Sequence, residues 1–275
     1  MLRSAEQDCA PAPLAGIPAL VMERGHRVED GACWHLLVWR AGPGWRMVSS
    51  AVLGGGLGER AWVLNAQVRP GYDRMDPEQH LADLARAEGL EGAGVGLMTA
   101  APVDDCACAE DGGARVAVTA GIGVPTWAAA PSPADESDGW PTPGTINIVA
   151  SVPAVLSDAA LVNMVATVTE AKVQALLDAG LDCSGTPSDA VCVAAWAPGP
   201  GRPVEAFGGP RSTWGSRVAR AVYGAVREGA DRDRERRAAG IPSRHPLPLA
   251  QCTTPRVAGD ALQVSRWEAV APRRG

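Results

Sequence analysis

A single lysine, Lys172, stands among 24 arginines in this chain of 275 residues. Arginine is permanently charged and forked, whereas lysine is a compact ammonium that can lose its proton on burial and act as a base. Asparagine is almost as scarce: Asn65, Asn147 and Asn163 are the three in the sequence. Two of them share with Lys172 the stretch PGTINIVASVPAVLSDAALVNMVATVTEAK. The ordinary alternative is a surface lysine left there by chance. The pattern around it favours a site. At about 100° per residue, Leu161, Val165, Val168 and Leu176 form one apolar stripe, and Lys172 falls inside it. Asn163, Thr167, Glu170 and Gln174 gather on another face. A lysine in an apolar stripe must snorkel, pair with an acid or lose its proton, and the last two are what a catalytic site arranges.

The chemistry such a lysine could do needs a hydroxyl or a water. A neutral lysine can take the proton of a Ser or Thr nucleophile while backbone N–H groups of a Gly loop hold the oxyanion. Ser49, Ser50, Thr99, Thr119 and Thr145 are the candidates, and the sequence does not choose among them. A second route uses Glu170 or Asp189 as general base on a water, with Lys172 stabilising the oxyanion. Five clusters of small, polar or Gly residues sit at ends of strand-like runs. They are Ser49–Ser50 with Gly54, Gly55 and Gly56; Met98–Thr99–Ala100; Thr119–Ala120–Gly121; Gly144–Thr145 with Asn147; and Ser184–Gly185–Thr186 with Asp189. Strand ends are where open α/β sheets build ligand sites, and glycine lets the backbone approach a ligand. Each cluster alone is a tight turn; five together point to a site.

Other chemistries find less support. The glycines at 54, 55, 56 and 58 fail the dinucleotide fingerprint, because Glu59 occupies the third required position and no helix follows. GGPRSTWG lacks a P-loop lysine. His26, His35, His80 and His245 are isolated from one another, and Cys106 and Cys108 have no second pair, so no protein-bound metal is expected. Cys183, beside a glycine turn, is a weaker nucleophile candidate, since buried cysteines are mostly inert.

The elements that must position these residues follow from pattern. A helix starts at Ser157–Asp158, a capping hydroxyl followed by an acid, and stops at Gly180. A second helix runs from Asp76, with Pro77 in its first turn, to Gly89, and a third over 212–229. Strands are expected near 19–23 and over 33–40, 45–53, 60–68, 94–103, 115–123, 145–152 and 189–197. The expected fold class is α/β (α+β): one domain with a mixed β-sheet and helices packed on it. Residues 1–30 read as a lead-in, 31–229 as the domain, 128–142 as a mobile insertion rich in Pro, Ser and acids, and 230–275 as a polar tail with disorder-prone composition.

Composition narrows the function classes. A net charge of -6 without a basic stripe argues against nucleic acid. No apolar run reaches membrane-spanning length, and the N-terminal stretch lacks the apolar core of a signal peptide. Seven scattered cysteines do not form a secreted disulfide pattern, so a cytoplasmic protein with reduced thiols is expected. The oligomeric state cannot be read from these features.

Several of these residues together resemble the adenosylcobinamide amidohydrolase (CbiZ) family of corrinoid salvage. The matching pieces are RMVSSAVLGGG from Arg46, the DP at Asp76, GLMTAA from Gly96, VTAGI from Val118, PGTINI from Pro143, TEAK ending at Lys172 and SDAV from Ser188. FGG from Phe207, with Thr213 and Gly215, closes the series. The resemblance implies hydrolysis of the aminopropanol amide of adenosylcobinamide, giving adenosylcobyric acid for cobalamin biosynthesis. It implies Ser49, Ser50, Gly55, Thr99, Thr145, Asn147, Glu170, Lys172 and Asp189 as site residues. Their chemistry assigns the roles: Lys172, Glu170, Ser49, Ser50 and Thr145 as catalytic candidates, and Gly54, Gly55, Gly56, Thr99, Thr119, Asn147 and Asp189 as substrate-binding candidates. The cobalt belongs to the substrate, so the protein need supply no metal ligand. One departure is the short Gly/Thr stretch CSGTPSDAV, with Pro187 inserted. It motivates the alternative of a corrinoid-binding protein without hydrolysis; a hydrolase of a different amide is the third reading.

Overall fold

A computed structural model describes residues 19–130, 144–240 and the two-residue strand 265–266. The expected lead-in up to residue 18, most of the expected insertion (131–142) and most of the tail lie outside the described residues. The chain runs through β1 (Glu23–Glu29), β2 (Ala32–Trp39), β3 (Trp45–Ser49), β4 (Gly56–Glu59), β5 (Trp62–Gln67), α1 (Pro77–Ala87) and β6 (Gly94–Thr99). It continues through β7 (Ala107–Asp111), β8 (Ala114–Gly121), β9 (Thr145–Leu156), α2 (Asp158–Asp178), β10 (Ala190–Trp196), β11 (Val204–Glu205), α3 (Thr213–Ala238) and β12 (Ser265–Arg266).

The mixed sheet expected from the sequence is present as two. One has the order β1-β2-β5-β6, the other β12-β7-β8-β9-β10-β3-β4 with β11 on β9. Each contains a parallel pair joined through a helix, β5-α1-β6 and β9-α2-β10. A parallel pair needs such a crossover. The period-2 alternation of strands then sets the layers. Leu36 and Val38 face outward with Leu64 to meet Leu81 and Ala85 of α1. Leu37 of the same strand turns inward with Val63, Val95 and Leu97, against Met47, Ala117, Val149 and Cys192 of the second sheet. On that sheet's far side, Val118, Ile146, Ile148 and Val193 receive Leu161, Met164, Val168, Val218 and Val222 of α2 and α3. The order of layers is helix, sheet, sheet, helices. Burial on both faces explains why β9 and β10 are nearly continuous apolar runs.

Local signals place α2 as expected. Ser157 caps it by accepting the N–H of Ala160 at 3.1 Å, and Gly180 follows its end at φ +78°. Four details differ from the sequence reading. The first strand begins at Glu23 rather than ending there. The short strands β4 and β7 form where turns were expected, each held by a partner strand. Helix α3 continues past Gly229 to Ala238, because Gly229 is a packing position: a Cβ there would stand 3.1 Å from the Ala120 methyl of β8. Thr167, expected on the polar face of α2, is buried and donates to the carbonyl of Gly208 at 2.9 Å. Among the described residues no helix is long and apolar enough to cross a membrane. Among the described residues Cys106, Cys108, Cys183 and Cys192 are free thiols.

Candidate active site

Strand register brings the singled-out residues to one end of the second sheet. Thr119 of β8 pairs with Asn147 of β9, and Gly121 with Thr145. Asn147 in turn stands beside Ala190 of β10. At the same edge β10 pairs with β3, with Cys192 opposite Ser49. The loop entering β10 carries Gly185, Thr186, Ser188 and Asp189.

Lys172 is buried on the inner face of α2 and reaches this edge. Its Nζ donates to Asp189 Oδ2 at 2.5 Å, in an ion pair whose side chains are 9% and 12% exposed. The remaining valences of Asp189 are filled. Oδ1 accepts the N–H of Ile146 at 2.9 Å and the hydroxyl of Thr186, and Oδ2 also accepts the N–H of Thr186 at 3.2 Å. Gly185 covers the pair. A Cβ there would lie 2.2 Å from Asp189 Oδ2 and 2.6 Å from Lys172 Nζ, so only glycine leaves room for the contact. The lysine that was expected to snorkel, pair or deprotonate has therefore paired, and it stands as a hydrogen-bond donor rather than as an acceptor.

The hydroxyl candidates occupy three settings. Ser49 donates to the carbonyl of Val191 at 2.9 Å and accepts the N–H of Ala51 at 3.1 Å, and Ser50 accepts the N–H of Val191 at 3.1 Å. Both serines thus fasten β3 to the start of β10. Thr99 accepts the N–H of Ala101 at 3.0 Å, closing the turn after β6. Thr145 shares a 2.7 Å hydrogen bond with Ser188, which donates to the Gly144 carbonyl at 2.9 Å.

Between the two sheets runs a polar chain. Asn147 Nδ2 donates to Asn65 Oδ1 at 2.9 Å and to the Met98 carbonyl at 2.8 Å, and Asn65 Nδ2 donates to Thr119 at 2.9 Å. Two of the three asparagines thereby weld the sheets together at the site end. Asn147 Oδ1 is buried without a donor among the described residues.

Two groups of candidates are not gathered here. Glu170 is exposed on α2, two positions and so about 200° around the helix from Lys172. Gly54, Gly55 and Gly56 serve the β3–β4 connection. A Cβ on Gly54 would meet the Gly94 carbonyl at 1.8 Å and one on Gly55 the Ala51 carbonyl at 2.4 Å. Cys183 is fully buried, and burial pushes its thiol up, away from the thiolate a nucleophile needs. Among the described residues there is no cluster of three His, Cys, Asp or Glu side chains that could hold a metal ion.

Thr186, named in one of the strand-end clusters but not among the hydroxyl candidates, shares the Asp189 carboxylate with Lys172. The sequence reading did not single out two further features. Buried His80 connects Tyr72 to Glu29, with Tyr72 Oη 3.0 Å from Nδ1 and Glu29 Oε1 2.9 Å from Nε2. No local signal marks a pairing between β1 and α1. The other is Trp127, whose neighbour Thr126 is bridged to Gly185.

A hydroxyl and an ammonium held on one carboxylate, beside a loop too tight for a side chain, are groups that acyl transfer could use. The family model described as adenosylcobinamide amidohydrolase matches residues 20–238. The chain belongs to that family. An adenosylcobinamide amidohydrolase of Methanosarcina mazei is 34% identical over 145 residues, covering 53% of this chain and 67% of that protein. One of Halobacterium salinarum is 33% identical over 201 residues, covering 70% of this chain and 82% of that protein. The family match runs through all of α3, past the residue 229 boundary expected from the sequence. Its FGG motif has a packing role: a Cβ on Gly208 would lie 2.1 Å from the Ala160 carbonyl of α2, and one on Gly215 1.9 Å from that of Gly209.

Proposed function

We propose that the protein hydrolyses the aminopropanol amide of adenosylcobinamide, in corrinoid salvage, and that Asp189, Lys172 and Thr186 carry the reaction. The observation that supports this most is the Asp189 carboxylate holding the Lys172 ammonium and the Thr186 hydroxyl at once. A hydroxyl that already donates to a carboxylate has its base in place. Thr186 Oγ1 attacks the amide carbonyl carbon as its proton passes to Asp189. Lys172 offers a further N–H to the developing oxyanion, an interaction strongest where water is excluded. As the tetrahedral intermediate collapses, Asp189 returns the proton to the departing amine. Water then hydrolyses the ester on Thr186, with Asp189 taking the proton of the water and returning it to the leaving Thr186 oxygen, which frees the carboxylic acid and restores the hydroxyl. Glu170 has no part in this scheme, since it lies on the outer side of α2.

The substrate suits the surroundings. A corrinoid bristles with amides, and the site end offers Ser, Thr and Asn side chains and backbone groups on small-residue loops. The test is incubation of the purified protein with adenosylcobinamide, followed by chromatography and mass. Release of aminopropanol by the wild type, lost in Lys172→Ala and Asp189→Asn, is the expected result. An undiminished Lys172→Ala variant would refute the mechanism. Thr186→Ala divides the routes: loss of turnover supports the covalent path, and retained turnover moves the attack to a water on Asp189. Tight binding of an unchanged corrinoid would favour a binding-only protein, the alternative that the short loop before Asp189 motivates.

A further inference from the structure

Trp127 is 43% exposed, whereas the other six described tryptophans are buried or half-buried. An indole left in water forgoes the apolar burial that drives tryptophan inside. Its backbone, however, is firmly held. Thr126 and Gly185 form an antiparallel bridge: Thr126 N–H donates to the Gly185 carbonyl at 2.9 Å, and Ser184 N–H to the Thr126 carbonyl at 3.1 Å. On the other side of Trp127, the N–H of Ala128 donates to Ser184 Oγ at 2.8 Å. The indole is thus anchored on both flanks to the loop that covers the catalytic ion pair.

The distances follow from chain geometry. Bridged residues have Cα atoms about 5 Å apart and neighbours in sequence about 4 Å, so the Trp127 Cα lies at most about 9 Å from that of Gly185. Gly185 touches both Lys172 and Asp189. A rigid aromatic with two side-chain torsions, presented beside a catalytic centre on a fixed backbone, is a surface for a flat ligand at low entropic cost. Resting on the functional reading above, we propose that Trp127 is the stacking platform of the site. It takes a flat, conjugated face of the substrate against its indole and so positions the amide over Asp189 and Lys172. The substrate carries two such faces, the corrin ring and the adenine of its adenosyl group.

The experiment compares wild type, Trp127→Ala and Trp127→Phe for binding of cobinamide with and without the adenosyl ligand, by titration, and for hydrolysis kinetics. Stacking on an aromatic side chain is lost at a cost of about 5- to 150-fold in affinity on alanine substitution. Trp127→Ala should therefore weaken binding in that range and raise KM by more than it lowers kcat, with Trp127→Phe recovering most of the loss. Weakening for both corrinoids assigns the corrin ring to the indole; weakening confined to the adenosylated form assigns the adenine. A Trp127→Ala variant that binds both forms as well as an active wild type overturns the proposal and leaves the functional reading standing. A wild type that neither binds nor hydrolyses either corrinoid overturns both.

Discussion

Gly185→Ala is the sharpest test of the proposed catalytic pair, because it adds one methyl group and removes nothing. The new Cβ would lie 2.2 Å from Asp189 Oδ2 and 2.6 Å from Lys172 Nζ, where ordinary contact begins at 3.4 Å. The carboxylate would have to retreat by about 1.2 Å and the ammonium by about 0.8 Å to clear it. Asp189 cannot yield freely, since Ile146, Thr186 and Lys172 hold it by hydrogen bonds of 2.5 to 3.2 Å together with the Thr186 hydroxyl. Gly185 is itself fixed through its carbonyl to Thr126. Its φ lies outside the left-handed region, so alanine meets no backbone penalty there. Overpacking of this kind costs about 1–3 kcal/mol, against a fold stability of about 5–15 kcal/mol, so the variant folds. A displacement near 1 Å in a catalytic group costs about 10²-fold in rate. The assay is aminopropanol release from adenosylcobinamide, with a thermal melt in parallel. Expected is a melt lowered by a few degrees and kcat lowered by about two orders of magnitude. Wild-type kcat in a folded Gly185→Ala protein would show that the geometry around Lys172 and Asp189 is not what turns the substrate over.

Ser49→Ala leaves the buried Val191 carbonyl and Ala51 N–H without their hydroxyl partner, and should lower stability by about 1–3 kcal/mol in chemical denaturation. Loss of turnover with an unchanged denaturation curve would return Ser49 to the list of nucleophiles. Glu170→Ala, on the exposed face of α2, should retain turnover; a variant with the kcat loss of Asp189→Asn would place Glu170 in the reaction after all. Stability should also respond to pH through His80. Burial holds its pKa below the ordinary 6.5, with the nearby Glu29 carboxylate opposing, Arg74 and Arg27 reinforcing and Asp76 opposing. The unfolded chain therefore binds the extra proton first. The contribution is complete above about pH 6.5 and is lost as pH falls below it towards the folded-state pKa. Melting temperatures across this window should fall less steeply in His80→Gln than in wild type, and identical slopes would refute the assignment.

What could be read from the sequence had local causes. Ser157, Gly180 and the apolar stripe of α2 announce that helix, and the stripe places Lys172 on its buried face. The identity of its partner was not local: Asp189 lies 17 residues away, beyond a glycine turn, and was one of several acids in reach. Glu170 was attractive because it is near in sequence, but a spacing of two puts side chains on opposite sides of a helix. Thr186 looked like part of a turn, and it is one; the same bonds that close the turn bring its hydroxyl to the carboxylate. The strand β4 hides because GLGE has the composition of a loop, and only pairing with β3 extends it. Gly229 misled in the opposite sense. A glycine that ends one helix is, in another, the gap through which a helix approaches a sheet, and only the neighbouring strand distinguishes the two.

The strand order has a consequence for how the enzyme comes into being. In the larger sheet β3, from early in the chain, lies against β10, with Ser49 hydrogen-bonded to Val191 across a separation of 142 residues. Contacts this distant in sequence close large loops and form late. As the chain emerges N-terminus first, Ser49, Asn65, Thr99, Thr119 and Asn147 are all synthesised before the loop bearing Thr186 and Asp189 exists. The proposed site is therefore completed by the insertion of one strand, β10, between two that were already made. A nascent chain arrested before Gly185 would hold Ser49, Asn65, Thr99, Thr119 and Asn147 but neither Thr186 nor Asp189, on which the proposed reaction depends.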